Sequence, residues 1–313
     1  MPKRHNWAVI SIGTNSTRYL LTDFSHSTLQ ASIGTRIGEG LRESGRLGDV
    51  PMRRTLDAIG EHLKAIGGRC DHLNVIATSA LRRADNAGEF MAQVRELTGA
   101  TLRILSGEEE ARAAFRGAVA TIGRRDDQTF GVLDVGGGST EYAVGAGAHA
   151  EHIVSCEIGA VRLTERCLEL AGAAGPIAEG TISHAREVVR ACLAPIAQFD
   201  RVGRLIFVGG SASTTAALIQ GGSRLDLFEF SRETLDLALG RLLTLPLEER
   251  KRLPGINPQR ADILPAGMLI LDTVFELTGQ SRAMLSLRDL LYGFLLLERE
   301  KTRPAQALPR QHR

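Results

Sequence analysis

A short phrase occurs twice in this chain of 313 residues. Ser11-Ile12-Gly13-Thr14-Asn15-Ser16-Thr17-Arg18 returns as Asp134-Val135-Gly136-Gly137-Gly138-Ser139-Thr140-Glu141. Each copy follows an apolar run of strand character (Trp7 to Ile12, Phe130 to Val135) and precedes another (Tyr19 to Phe24, Tyr142 to Val144). The pattern predicts strand, tight polar turn, strand. Glycine tolerates positive φ and lets backbone come close to a ligand. Successive turn N–H groups form an anion-binding nest, and the hydroxyls add donors. One such turn alone reads as an ordinary hairpin, because Gly, Asn and Ser dominate turns anyway. The second copy, with three glycines in a row, moves the reading to phosphate binding by Thr14, Asn15, Ser16 and Gly136, Gly137, Gly138, Ser139 and Thr140. Two hairpins, one in each half, predict a duplicated fold that grips a phosphate chain between its halves.

The rest of the composition narrows the class. A chain of this length predicts about two domains. Hydrophobic residues at 43% and charged residues at 24% describe an ordinary globular protein with real cores. A net charge of +2 argues against a dedicated nucleic-acid or membrane-surface binder. Cys70, Cys156, Cys167 and Cys192 are scattered with no C-x-x-C pair, which predicts neither a zinc knuckle nor a disulfide framework and fits a reducing, cytoplasmic compartment. Lys3, Arg4 and His5 are followed by no long apolar segment, so no signal peptide is expected. The apolar stretch Ile263 to Leu271, interrupted by Pro265 and Gly267, is too short to span a bilayer.

Strand-like runs alternate with helical ones, which predicts an α/β fold. The hairpins opening each half predict mixed rather than purely parallel sheets. The polar stretch Gly123 to Gln128 marks the expected boundary, giving domains over 1–124 and 125–300, and the Pro-, Gln- and Arg-rich end, 301–313, reads as a disordered tail.

Several residues carry candidate chemistry. Asp134 ends an apolar run beside the second turn; a lone buried carboxylate is costly without a partner, and Mg²⁺ is a hard ion that takes carboxylate and phosphate oxygens. Glu141, on the far side of that turn, is either a second ligand, direct or through water, or an exposed ion-pairing residue. In Ser106-Gly107-Glu108-Glu109-Glu110, Ser106 and Glu109 have capping-box spacing, and Glu108 suits the first turn of a helix. Glu110 is left over. It heads a stripe of small residues (Ala113, Ala114, Gly117, Ala118) and reads as a general base toward water, or else as another solvated first-turn acid. Arg82 or Arg83 is a candidate phosphate clamp, against the alternative of an exposed loop arginine. The Gly209-Gly210-Ser211 turn opens a helix, where anions bind; tight strand–helix packing is the plain alternative. His149 and His152 lack further ligands for a metal site, and Glu248 to Arg252 reads as a solvated helix face. Neither a P-loop nor a dinucleotide fingerprint is present.

Taken together, I-G-T-N-S at 12–16, T-S-A-L-R at 78–82, S-G-x-E-E-A-R at 106–112, D-V-G-G-G-S-T-E at 134–141 and V-G-G-S-A-S at 208–213 resemble the exopolyphosphatase/guanosine pentaphosphate phosphatase (Ppx/GppA) family, with order and spacing in agreement over about residues 7 to 300. That family belongs to the actin-like ATPase superfamily. The resemblance implies two related actin-like (ribonuclease H-like) domains with mixed sheets flanking a central cleft. It implies Mg²⁺-dependent removal of terminal phosphate from inorganic polyphosphate, or of the 5′ phosphate of guanosine pentaphosphate, with Glu110 as catalytic base. Asp134 and Glu141 match the family's metal-side carboxylates, and Arg82, Gly210 and Ser211 fall in its phosphate-holding segments. Longer relatives carry a further C-terminal helical domain, so this chain resembles a short, two-domain member; a homodimer is left open. Where the family's first turn begins with Asp, this chain has Ser11, a poorer Mg²⁺ ligand. That departure motivates an alternative, a catalytically weak protein that senses polyphosphate or guanosine tetra- or pentaphosphate. A kinase of the same superfamily is a third reading.

Overall fold

Strands that are apolar at nearly every position are buried on both faces, and here two sheets of such strands enclose a shared helical layer. The structure is a computed structural model and describes residues 5–25, 28–122, 128–168, 175–223 and 225–302. The first sheet comprises Trp7–Ile12 (β1), Ser16–Thr22 (β2), Thr28–Gly34 (β3), His72–Ala77 (β4) and Leu102–Ile104 (β5), in the order β3-β2-β1-β4-β5. The second comprises Thr129–Val135 (β6), Thr140–Ala146 (β7), His149–Cys156 (β8), Arg204–Val208 (β9), Glu229–Ser231 (β10) and Arg282–Leu285 (β11), in the order β10-β11-β9-β6-β7-β8. β1 is antiparallel to β2 and parallel to β4, and β6 is antiparallel to β7 and parallel to β9. The duplication read from one turn therefore extends to whole sheets, both of them mixed. The turns themselves close alike: Gly13 N–H donates to the Ser16 carbonyl and Gly136 N–H to the Ser139 carbonyl, each at 3.0 Å.

Side chains alternate across each strand, so one strand serves two cores. Ala8, Ile10 and Ile12 of β1 face an outer core with the helix Asp49–Ile66, whereas Trp7 and Val9 face a central one. β6 does the same with Leu133 and Val135 outward and Phe130 and Val132 inward. The central core is built on the helices Gly107–Ile122 and Leu290–Thr302, which lie between the sheets. The small-residue stripe below Glu110 serves this contact. A methyl on Gly117 would meet the Asp289 carbonyl, and one on Gly293 would overlap the Ala113 carbonyl. Both obstructions are backbone, so neither helix can give way easily. Gly293→Ala is expected to cost on the order of 1–3 kcal/mol, as overpacking does, read as a lowered urea midpoint at unchanged slope.

Two expectations need correction. Cys156 and Cys192 are joined by a disulfide, with Cα atoms 6.1 Å apart. Their separation of 36 residues carried no pairing signal, because the topology alone brings the end of β8 against the helix Glu179–Leu193. Arg250, placed on a solvated face, is buried, and its Nε donates to the Leu242 carbonyl at 2.9 Å. His149 and His152, read as lacking further ligands for a metal site, lie on β8, where a bulge opposite Val144 and Gly145 sets them across from Ala146 and Val144 and so on one face; His152 stacks on Phe199. The expected boundary Gly123 to Gln128, apart from Gln128, and the expected tail 301–313, apart from the two residues that end the helix Leu290–Thr302, lie outside the described residues. Among the described residues, no helix is long and apolar enough to cross a membrane.

Candidate active site

The parallel strands β1, β4, β6 and β9 point their carboxyl ends at one place, the edge where open α/β sheets bind ligands. The loops leaving them enclose a narrow cavity of about 70 Å³. Its walls include Thr14, Asn15 and Ser16 from the first turn and Gly136, Gly137, Gly138 and Ser139 from the second. Gly210 and Ser211 join them from the helix Gly209–Ile219, whose first-turn N–H groups are free to meet an anion. Glu110, Asp134 and Glu141 open into the same space.

The two turns touch across the cleft. A methyl on Gly137 would lie 3.1 Å from the Asn15 amide nitrogen, and one on Gly138 would lie 2.6 Å from Thr14 Oγ1. No glycine of either turn has positive φ. Close approach, not left-handed backbone, is what requires glycine here, which corrects half of the reason expected from sequence. Gly209 differs: its φ is 82°, and the Asp134 carboxylate packs where its side chain would stand. Thr14 Oγ1 and Asn15 Oδ1 are buried without a hydrogen-bond partner. Native structures leave few such atoms unsatisfied, so both are available to a ligand.

Thr140 is a correction. It is fully buried outside the cavity, and its hydroxyl donates to the Ile158 carbonyl at 2.5 Å. Strand alternation explains this: Ser139 and Glu141 face the cavity, so Thr140 between them faces away.

The three first-turn acids near residue 108 divide as their spacing predicts. Ser106 N–H donates to Glu109 Oε2 at 2.8 Å and Glu109 N–H to Ser106 Oγ at 3.1 Å, closing the capping box. Glu108 pairs with Arg112 on the surface at 2.6 Å. Glu110 is only 5% exposed. Burial pushes its carboxyl up to about 7 against the opposing pull of Arg82, with smaller upward contributions from Asp134 and Glu157. Arg82 ion-pairs with Glu110 and also donates through Nη1 to the Leu105 carbonyl at 2.7 Å and through Nη2 to Glu157 at 3.0 Å. The expected phosphate clamp is therefore held on protein acceptors, beside the cavity and not among the residues that line it.

Asp134 and Glu141 are direct partners across β6 and β7. Burial raises Asp134 to about 6; Asp289 adds to this, and Arg18 and Arg260 oppose it. Burial, then the neighbouring Glu110 and Asp134, hold Glu141 well above the usual carboxylate range. The equivalent pair in the first copy is Ser11 and Arg18. Ser11 is buried, and Arg18 reaches the cavity and ion-pairs with Asp289. One copy thus presents acid to the cleft and the other presents a cation. Arg260 adds a second cation from the opposite wall, lying against Gly210 and donating to Ser16 Oγ at 3.5 Å. Sequence reading missed both arginines. Arg18 was visible as the counterpart of Glu141 in the repeated phrase, whereas Arg260 lies in a short turn with no local signal.

Among the described residues, no three His, Cys, Asp or Glu side chains converge into a metal cage. Two buried carboxylates, Asp134 and Glu141, line one cavity with the orphaned Asn15 oxygen, a donor set that suits an ion taking one or two carboxylates and completing its shell with water and phosphate, as Mg²⁺ does.

Known proteins share this arrangement. The model of the Ppx/GppA phosphatase family matches residues 25–298. Exopolyphosphatase 2 of Mycobacterium tuberculosis is 30% identical over 320 aligned residues, covering 92% of this chain and 97% of that protein. The crystal structure of the Aquifex aeolicus Ppx/GppA family member superimposes with a TM-score of 0.79 at 26% identity, covering 96% of this chain and 99% of that one. An exopolyphosphatase-like protein gives a TM-score of 0.86 at 26% identity, covering 95% of this chain and 100% of that one. With the family's fold present in both sheets and its model matched along most of the sequence, this chain belongs to the Ppx/GppA phosphatases, enzymes that hydrolyse phosphoanhydride bonds.

Proposed function

We propose that this chain is an exopolyphosphatase that releases orthophosphate from the end of inorganic polyphosphate, with the terminal anhydride of guanosine pentaphosphate as a second substrate for the same chemistry. The observation that carries the reading is Glu110: a buried carboxylate, raised to about 7, opening into the cavity that both turns line. The terminal phosphate enters between the turns. Backbone N–H groups and the hydroxyls of Thr14, Ser16 and Ser139 hold its oxygens, aided by the helix start at Gly210 and Ser211. Glu110 orients a water and takes its proton as the water oxygen bonds to phosphorus. The bridging P–O bond breaks, and the chain leaves one phosphate shorter. Phosphoryl transfer passes through a loose transition state, so positioning and charge stabilisation do most of the work. Arg18 and Arg260 supply fixed positive charge for this. Asp134 and Glu141 would hold Mg²⁺, which when bound neutralises charge on the phosphates.

The sensor reading is not favoured. Its motive was Ser11, yet Ser11 is not among the residues that line the cavity, while the buried carboxylate of Glu110 is. The test is orthophosphate release from polyphosphate and from guanosine pentaphosphate, with Mg²⁺ and with a chelator. Release from polyphosphate that stops with the chelator and resumes on adding Mg²⁺ is expected; binding of either substrate without release overturns the proposal.

A further inference from the structure

Glu157, one residue beyond β8, is held as an incoming anion would be. Its Oε1 accepts from Arg82 Nη2 at 3.0 Å, and its Oε2 accepts from Arg162 Nη2 at 2.7 Å and from Ser79 Oγ at 3.0 Å. Arg162 Nη2 also donates to Ser79 Oγ at 3.1 Å. Two guanidiniums and a hydroxyl converging on one set of oxygens is the donor set that phosphate recognition uses. The arginines are 19% and 17% exposed, whereas Glu157 is 48% exposed. The cradle is thus built into the protein, and its occupant sits on the solvent side. Burial works to raise the Glu157 carboxyl, but hydrogen bonds from Arg82 and Arg162 outweigh it and hold the group below its ordinary value. Burial lowers the Arg162 guanidinium, with smaller contributions from Arg83 and Arg82, so the cations crowd one another around their anion.

The cradle adjoins the cavity. Ser79 Oγ lies against Gly138, and Ala160, three residues beyond Glu157, lines the cavity with it. The partners come from opposite halves: Ser79 and Arg82 from the helix after β4, Glu157 and Arg162 from the segment after β8.

We propose that Arg82, Arg162 and Ser79 form a second phosphate subsite at the mouth of the cavity, and that Glu157 is its built-in competitor. The inference rests on the polyphosphate reading above. A chain whose end occupies the cavity runs out past Gly138, and one of its internal phosphates replaces the Glu157 carboxylate on the two arginines. Glu157 then swings to solvent, which costs little for a half-exposed side chain. Short substrates fill the cavity without reaching the cradle, so Glu157 governs the preference for chain length.

The experiment compares the wild type, Glu157→Gln and Arg162→Gln, measuring equilibrium binding and KM for tripolyphosphate and for long-chain polyphosphate. Removing the competing charge is expected to tighten long-chain binding about fivefold, the scale of one water-screened unit-charge interaction at contact distance, with a smaller change for tripolyphosphate. Arg162→Gln is expected to weaken long-chain binding more than tripolyphosphate binding. A merely structural clasp predicts the opposite for Glu157→Gln: weaker binding of both ligands. Unchanged or weaker long-chain binding by Glu157→Gln, in a background whose wild type binds and cleaves polyphosphate, overturns this inference alone. A wild type that neither binds nor cleaves polyphosphate overturns the proposed function as well.

Discussion

Replacing Glu110 with glutamine is expected to slow orthophosphate release from polyphosphate by about 10²–10⁴-fold, the range a positioned general base contributes. The amide keeps the shape of the carboxyl and can still accept from Arg82, but it cannot take a proton from water. Loss in kcat with little change in KM is the expected split, because the base acts in the transition state and the turns bind the ground state. The geometry favours Glu110 over its neighbours for a specific reason. Glu109 is committed to the capping box and to Arg103, Glu108 to Arg112, and only Glu110 faces the cavity. Glu109→Gln provides the contrast, since it touches the helix start and not the cavity; its expected effect is on stability. Equal turnover by wild type and Glu110→Gln would remove the assignment.

Much of this site was legible because it is local. A strand, a Gly/Ser/Thr turn and a strand are contiguous in sequence, and repetition of the phrase reported the fold's symmetry directly. Glu110 could be isolated by elimination, because the capping box is fixed by spacing and Glu108 suits the first turn of a helix. What was hidden is long-range. Arg260 is 244 residues from Ser16, and Asp289 is 271 residues from Arg18; only the folded chain brings them together. The same holds for Glu157, 75 residues from Arg82, and for the disulfide at Cys156. Thr140 shows a subtler limit. It belongs to the repeated phrase, but strand alternation turns it away from the cavity, so membership of a motif did not place its side chain. The small-residue stripe was visible in the sequence, yet its packing partner, the helix Leu290–Thr302, is supplied by a segment far along the chain.

The raised carboxyl of Glu110 predicts opposite pH trends for activity and stability. As a base it works ionised, so kcat/KM is expected to fall as pH drops through about 7, approaching tenfold per unit below it. For folding, the sign reverses. The folded value lies above the ordinary 4.5, so between 4.5 and about 7 the folded state binds more protons than the unfolded one. Stability is therefore lost as pH rises through that window. Asp134, raised to about 6, and Glu141, raised in the same direction, add to the trend. Urea midpoints of the metal-free protein should decline from pH 5 to pH 8 while kcat/KM climbs over the same range. Glu110→Gln traces the two effects to one group, because it deletes both the catalytic limb and its share of the stability slope. A wild-type stability that rises across this interval would mean that Arg82 outweighs burial at Glu110. The carboxyl would then be ionised well below neutrality, and the activity limb would move to lower pH with it. The cost of holding the proposed base buried beside two other carboxylates is thus measurable in the protein's own folding, before any substrate is added.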